Sequence, residues 1–183
     1  MTGLRRLCEG GGELSGHSVA DRDRLLSEAM RLRETGRREE ARERLVALSS
    51  ALPLDAEVAY QAAWVHDTLG LEAEAVPYYE RALSGSALAE DDRRGALLGL
   101  GSTYRILGRH EEAVTTLSEG AAEFPDDNGL KTFLAMALYN IGRTHDAMQL
   151  LLTLLVTTTG DRELAAYRPA IEEYAKDLDA TMG

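Results

Sequence analysis

The chain has 183 residues, 44% of them hydrophobic and only 5% aromatic, with a formal net charge of −11. That apolar share is enough for a continuous core, while no run of about 18 apolar residues offers a membrane span. Fourteen acids against five bases over residues 56–127 repel phosphate backbones and exclude nucleic acid from the expected partners, and the single Cys8 excludes an internal disulfide framework and fits a reducing, cytoplasmic setting.

Residues 1–20 contain Gly10-Gly11-Gly12 and show no sustained periodicity, which predicts a flexible leader. It lacks the Gly-Lys-Ser/Thr ending of a phosphate loop. Cys8 and His17 both lie in it, where nothing fixes the geometry that a nucleophile and its base require. Its Leu4, Leu7 and Leu14 make it a candidate to occupy a groove of the same chain.

From residue 22 onward one pattern returns four times. Gly36, Gly70, Gly108 and Gly142 are each followed five residues later by Ala41, Ala75, Ala113 or Ala147, and the glycines are 34, 38 and 34 residues apart. Apolar residues of helical period run before each glycine (Leu25, Ala29, Leu32) and after it (Ala41, Leu45, Leu48). Glycine ends the first helix because it accepts the left-handed backbone of a helix C-terminus. Acidic residues then open the second helix, where its dipole favours them. Seven residues before each glycine stands Ala29, Ala63, Gly101 or Ala135. Two facing stripes of small residues make a close antiparallel hairpin, and the units read as 22–55, 56–89, 94–127 and 128–161.

The second unit is followed by four extra residues, predicting a longer loop around Glu90-Asp91-Asp92. Asp91-Asp92 and Asp126-Asp127 read as helix caps and loop residues rather than a general acid–base pair. Over 162–183, Leu164, Ile171, Tyr174 and Leu178 share a helical face and predict a capping helix, which a stack of hairpins needs at its end. Pro169 either kinks that helix or opens a shorter one. His17, His66, His110 and His145 fall at no metal-ligand spacing. His66 is expected between helices, and His110 and His145 in solvent beside turns.

The repeat resembles the tetratricopeptide repeat, with its 34-residue unit, small residues at both close-approach positions, and closing prolines at Pro53 and Pro125. Two departures are Ala87 in place of a closing proline and Leu25, Ala59, Leu97 and Lys131 where the family usually has bulk. The chain is also similar to small stand-alone bacterial proteins of this class. The resemblance implies an all-α, right-handed α-solenoid of four antiparallel hairpins whose first helices line a concave groove for a peptide or helix of another protein.

In that family the groove-facing places lie ten, six, three and two residues before each glycine. Here they hold Leu26, Met30, Arg33 and Glu34, then Tyr60, Trp64, Asp67 and Thr68, then Leu98, Ser102, Arg105 and Ile106, then Thr132, Met136, Tyr139 and Asn140. Leu26 and Met30 stand where the family's clamp for acidic chaperone termini needs Lys and Asn, so that clamp is absent. The set instead implies an apolar or aromatic partner segment, with Arg105 as a handle for an acidic group and Asn140 as a second polar handle. Trp64 reads either as a groove anchor or as core filling beside the small Ala59. No catalytic constellation, cofactor or metal site emerges. The function expected is non-catalytic binding of a protein partner, with self-assembly into a homo-oligomer as the alternative and an enzyme with an unrecognised site as a third class.

Overall fold

The computed structural model describes residues 19–85 and 88–180; residues 1–18 of the expected leader, with Cys8 and His17, lie outside the described residues, and its last two, Val19 and Ala20, open the first helix. Ten helices and no strand are found among the described residues. Eight of them pair as hairpins: α1 (Val19–Glu34) with α2 (Arg38–Ala51), α3 (Ala56–Asp67) with α4 (Glu72–Leu83), α5 (Glu90–Ile106) with α6 (His110–Glu123), and α7 (Asn128–Asn140) with α8 (Thr144–Thr158). Each hairpin packs on the next, and the first helices α1, α3, α5 and α7 also touch in succession. The result is an all-helical solenoid.

The hairpin turns share one construction. Gly36, Gly70, Gly108 and Gly142 have φ between 71° and 83°, and no other described residue has positive φ. In each turn the residue after the glycine donates its N–H five residues back: Arg37 to Leu32, Leu71 to His66, Arg109 to Tyr104 and Arg143 to Leu138, at 2.9–3.0 Å. These bonds satisfy carbonyls that a helix end otherwise strands. The entries to α3 and α7 are capped instead by side chains, Asp55 accepting from the Val58 N–H at 3.0 Å and Asp127 from the Leu130 N–H at 2.8 Å.

Between the helices of each hairpin the small stripes are sealed. Ala29, Ala41, Ala63, Ala75 and Ala113 are fully buried, and Ala135 and Ala147 nearly so. The stacking surfaces bury Leu45, Val58 and Val65 between the first two hairpins, and Tyr79, Leu97, Leu100, Leu117 and Leu130 further on. Arg22 reaches from α1 to the start of α3, donating to both Asp55 oxygens at 2.8–2.9 Å and to Glu57 at 2.7 Å. His66 is buried as expected, its ring stacked on Tyr78.

Three local expectations are corrected. The extra residues between hairpins two and three lengthen α5 by a turn, so Glu90, Asp91 and Asp92 are its first turn rather than a loop, and Ala89 takes the cap position. Three acids at a helix start are placed where the dipole is positive. The expected single capping helix is two, α9 (Arg162–Ala166) and α10 (Arg168–Tyr174), with Pro169 in the first turn of α10. The α10 segment lies antiparallel along α8, tied by Arg168 to the Val156 carbonyl at 2.5 Å and by His145 near Asp179 at 3.2 Å. His110 is half-buried rather than solvated, with its Nδ1 enclosed.

Gly101 is the one close-approach position without a methyl, and the reason is Leu117. A Cβ at 101 would lie 2.4 Å from the Leu117 Cγ and 2.7–3.0 Å from its methyl carbons. Alanine's better helix propensity contributes about 1 kcal/mol, whereas overpacking costs about 1–3 kcal/mol. Gly101→Ala is therefore expected to lower stability by about 1 kcal/mol in urea unfolding, although the other three hairpins carry Ala there; an unchanged midpoint would show that Leu117 repacks freely.

Candidate functional site

On the first-helix side of the solenoid, α3, α5 and α7 enclose a half-open cleft of about 390 Å³. Its walls are Tyr60 and Trp64 of α3, Tyr79 of α4, Leu98 and Ser102 of α5, and Phe133 of α7, with Asp67 and Thr68 at one end. The space exists because α5 presents Gly95 and Gly99 to it. A Cβ at 95 would fall 2.3 Å from the Tyr60 hydroxyl, and one at 99 would fall 2.4 Å from the Tyr79 hydroxyl. Two tyrosine rings therefore lie directly on the backbone of a neighbouring helix.

Tyr79 occupies the place, nine residues after the turn glycine, that holds Leu45, Leu117 and Leu151 in the other units. Its hydroxyl donates to Asp67 Oδ2 at 2.6 Å, and the Thr103 hydroxyl donates to the same carboxylate at 2.9 and 3.1 Å. The three side chains thereby join α4, α3 and α5. Burial pushes Asp67 above the usual aspartate range, opposed by these two hydroxyls. Burial and the adjoining carboxylate push the Tyr79 phenol up as well. On the other wall Trp64 stacks with Tyr60 at 5.9 Å between ring centroids. The Arg33 guanidinium lies 3.7 Å from the Trp64 ring centroid and donates to Gln61 at 2.6 Å. Trp64 remains 41% exposed, so it is a wall of the cleft and not core filling.

The structure brings together Tyr60, Trp64, Asp67, Thr68, Leu98 and Ser102. Met136 and Tyr139 are exposed on α7, Tyr139 at 67%, and Asn140 is exposed beside them, all outside the cleft itself. Arg105 is half-buried, its Nε enclosed without a hydrogen-bond partner; Ile106 is exposed. Met30 packs partly into the first core cluster, and Thr132 turns its hydroxyl back to the Asn128 carbonyl.

Leu26 is not a groove residue. It is 3% exposed and sits in the core with Ala29, Leu45 and Val58, because this place borders the packed face: Tyr60, at the same place in unit two, is only 7% exposed. Arg33, expected in the groove, is likewise buried, beneath Trp64.

Phe133, Tyr79, Gly95 and Gly99 were not among the expected cleft residues. The one signal for Tyr79, Gly95 and Gly99 is compositional, a tyrosine at a leucine position in unit two and extra glycines in the first helix of unit three. No group of three or more His, Cys, Asp or Glu that could hold a metal ion occurs among the described residues.

The raised Asp67 pKa has a definite sign. A folded value above the unfolded one means that stability is fullest below the ordinary aspartate pKa of about 3.9 and declines as pH rises through the folded value. Asp67→Asn removes that titration. The stability of the variant relative to the parent is expected to be highest at neutral pH and to fall steadily as pH is lowered; a difference independent of pH in urea unfolding would place Asp67 at its ordinary pKa.

The chain is similar to several known proteins. The model of the Tetratrico peptide repeat family matches residues 56–178. A human protein, Protein O-mannosyl-transferase TMTC1, is 32% identical over 120 residues; the match takes 63% of this chain but only 13% of that protein's length. Among solved structures, a MamA protein superposes with a TM-score of 0.66 at 16% identity over 89% of this chain and 79% of its own. PilF of Pseudomonas aeruginosa gives 0.62 at 18% identity, over 85% and 69%. MamA of Desulfovibrio magneticus RS-1 gives 0.62 at 19% identity, over 89% and 100%. At such identities the structures share the fold, and no helix of the described residues is long and apolar enough to cross a membrane. With a family model spanning both sides of the cleft and four hairpins closed by the same glycine turn, the chain belongs to the tetratricopeptide repeat family.

Proposed function

We propose that this chain is a non-catalytic interaction module whose first-helix face holds a peptide or helix of a partner protein. The observation that carries this reading is the cleft between Trp64, Leu98 and Phe133, an apolar and half-open space lined by three aromatic residues of the first helices. Met136 and Tyr139 extend the same kind of surface along α7. Aromatic side chains and methionine are the residues that most often anchor protein interfaces, and methionine adapts to irregular apolar ligands. The carboxylate of the cleft, Asp67, is bonded to the Tyr79 hydroxyl rather than set against a nucleophile, which favours binding over chemistry. The transferase activity in the name of the human relative belongs to a protein of which this chain spans 13%.

The test is site-specific photo-crosslinking in an extract of the source cells. A photoreactive residue at Ser102 or Met136 is expected to form adducts with a discrete partner, while one at Glu119, exposed on α6, forms none. Equal labelling from all three positions would remove the groove from consideration.

A second reading, self-assembly, rests on α8. Earlier hairpins bury their stacking row: Leu45 and Leu117 are fully covered and Tyr79 nearly so. The matching row of the last hairpin, Met148, Leu151 and Leu155, is 39–47% exposed although α10 lies along α8. An unfinished stacking surface invites another hairpin. Under this reading the mass in light scattering rises with concentration, and Leu151→Glu holds it at that of one chain; a constant mass excludes it.

A further inference from the structure

Asp67 is a half-buried carboxylate that forms no ion pair among the described residues; its partners are the hydroxyls of Tyr79 and Thr103. An ionised carboxylate has about four acceptor sites, and two hydroxyl hydrogens leave acceptor capacity at the end of a cleft that Asp67 itself lines. The surrounding field is of the same sign. Asp92, one turn ahead of Gly95, is without an ion pair among the described residues, and burial together with Glu57 and Asp91 pushes its pKa up. Arg33, whose charge acts on Asp92, is already engaged by Trp64 and Gln61. Arg105 lies one turn beyond Ser102 on α5 and does not line the cleft.

The walls suit the same ligand. Aromatic faces attract cations through their quadrupole, and this cluster binds one of its own, since the Arg33 guanidinium stacks on Trp64. Leu98 and Phe133 offer apolar surface to the methylene stem that Lys and Arg bury behind a charged head.

We propose that the cleft takes up a lysine or arginine side chain of the partner's segment, its cationic head bonding Asp67 and its stem lying among Trp64, Leu98 and Phe133. This rests on the reading of the first-helix face as a protein-binding groove and adds what that groove selects: a basic residue within an apolar stretch, and not an acidic one. A carboxylate ligand would meet Asp67 and Asp92 with no free cation lining the cleft.

The experiment is selection of random dodecapeptides, displayed on phage, against the full chain, with Ser102→Trp, which fills the cleft, as the counter-selected variant. Affinities of synthetic versions follow from the fluorescence of Trp64, the only tryptophan. The expected result is a shared Lys or Arg among apolar residues. Replacing that residue by norleucine in the peptide lowers affinity about tenfold or more, since a charge-assisted bond is lost. The same preference disappears in Asp67→Asn, whose folding is checked by its thermal melt; the norleucine comparison needs no altered protein. Peptides that depend on the cleft yet carry no basic residue, or bind equally well with norleucine, overturn this inference and leave the groove reading standing. Enrichment that Ser102→Trp does not affect, or none above that variant, overturns both.

Discussion

The hydroxyl of Tyr79 reaching Asp67 is the contact on which the middle of this molecule depends. A leucine in that place, as in the neighbouring units, would fill the stack and end there. A tyrosine must pass its ring over α5, which requires a helix with no side chain at position 99, and its hydroxyl must find an acceptor once it is buried. Asp67 provides the acceptor, and Thr103 takes up further capacity of the same carboxylate. From one enlarged side chain follow the glycine in α5, the bond joining three helices, and a carboxylate drawn half out of water. With Gly95 making the same allowance for Tyr60, the packing that positions the rings also leaves the space beside them.

The sequence made the scaffold legible because its signals are local. A glycine that must be left-handed, an alanine that must be small and an acid at a helix start each report on a few neighbouring bonds, and all four turns have the backbone those residues predicted. Glu90, Asp91 and Asp92 misled because acids suit a loop and a first helical turn equally well; the longer α5 decides between them. Counting back from the turn glycines found most of the cleft, since it follows the exposed side of each first helix. It missed Tyr79 because that residue sits on a second helix and enters the cleft by crossing over a glycine, a relation between distant residues that no single helix pattern carries. It misplaced Leu26 because the place ten residues before the glycine borders the packed face, where Leu26 is 3% and Tyr60 7% exposed, and a fixed offset does not separate groove from core.

The two ends of the described solenoid are finished differently. At the first hairpin, charge ties α1 to the next unit: the part-buried Arg22 reaches Asp55 and Glu57 and secures the entry to α3. The last hairpin is closed by shape, with α10 laid along α8 and held through a backbone carbonyl. Partial cover leaves Leu151 and Leu155 facing outward, and the apolar character of that row is what a fifth hairpin would need. Acidity, by contrast, is concentrated over residues 56–127, the stretch that supplies nearly all of the cleft.

Because each hairpin leans only on its neighbours, the molecule has the mechanics of a short coil spring. Successive hairpins meet where each second helix packs on the next first helix, and α3, α5 and α7 also touch in succession. The cleft opens across all three of these helices, so its width and the pitch of the spring are one coordinate. Anything lodged there would fix the pitch of the central turns, and any strain that straightens the coil would widen the cleft. A small change in the close contact of α5 with Tyr79 would therefore change the angle at which the second and third hairpins meet, and with it the width of the cleft.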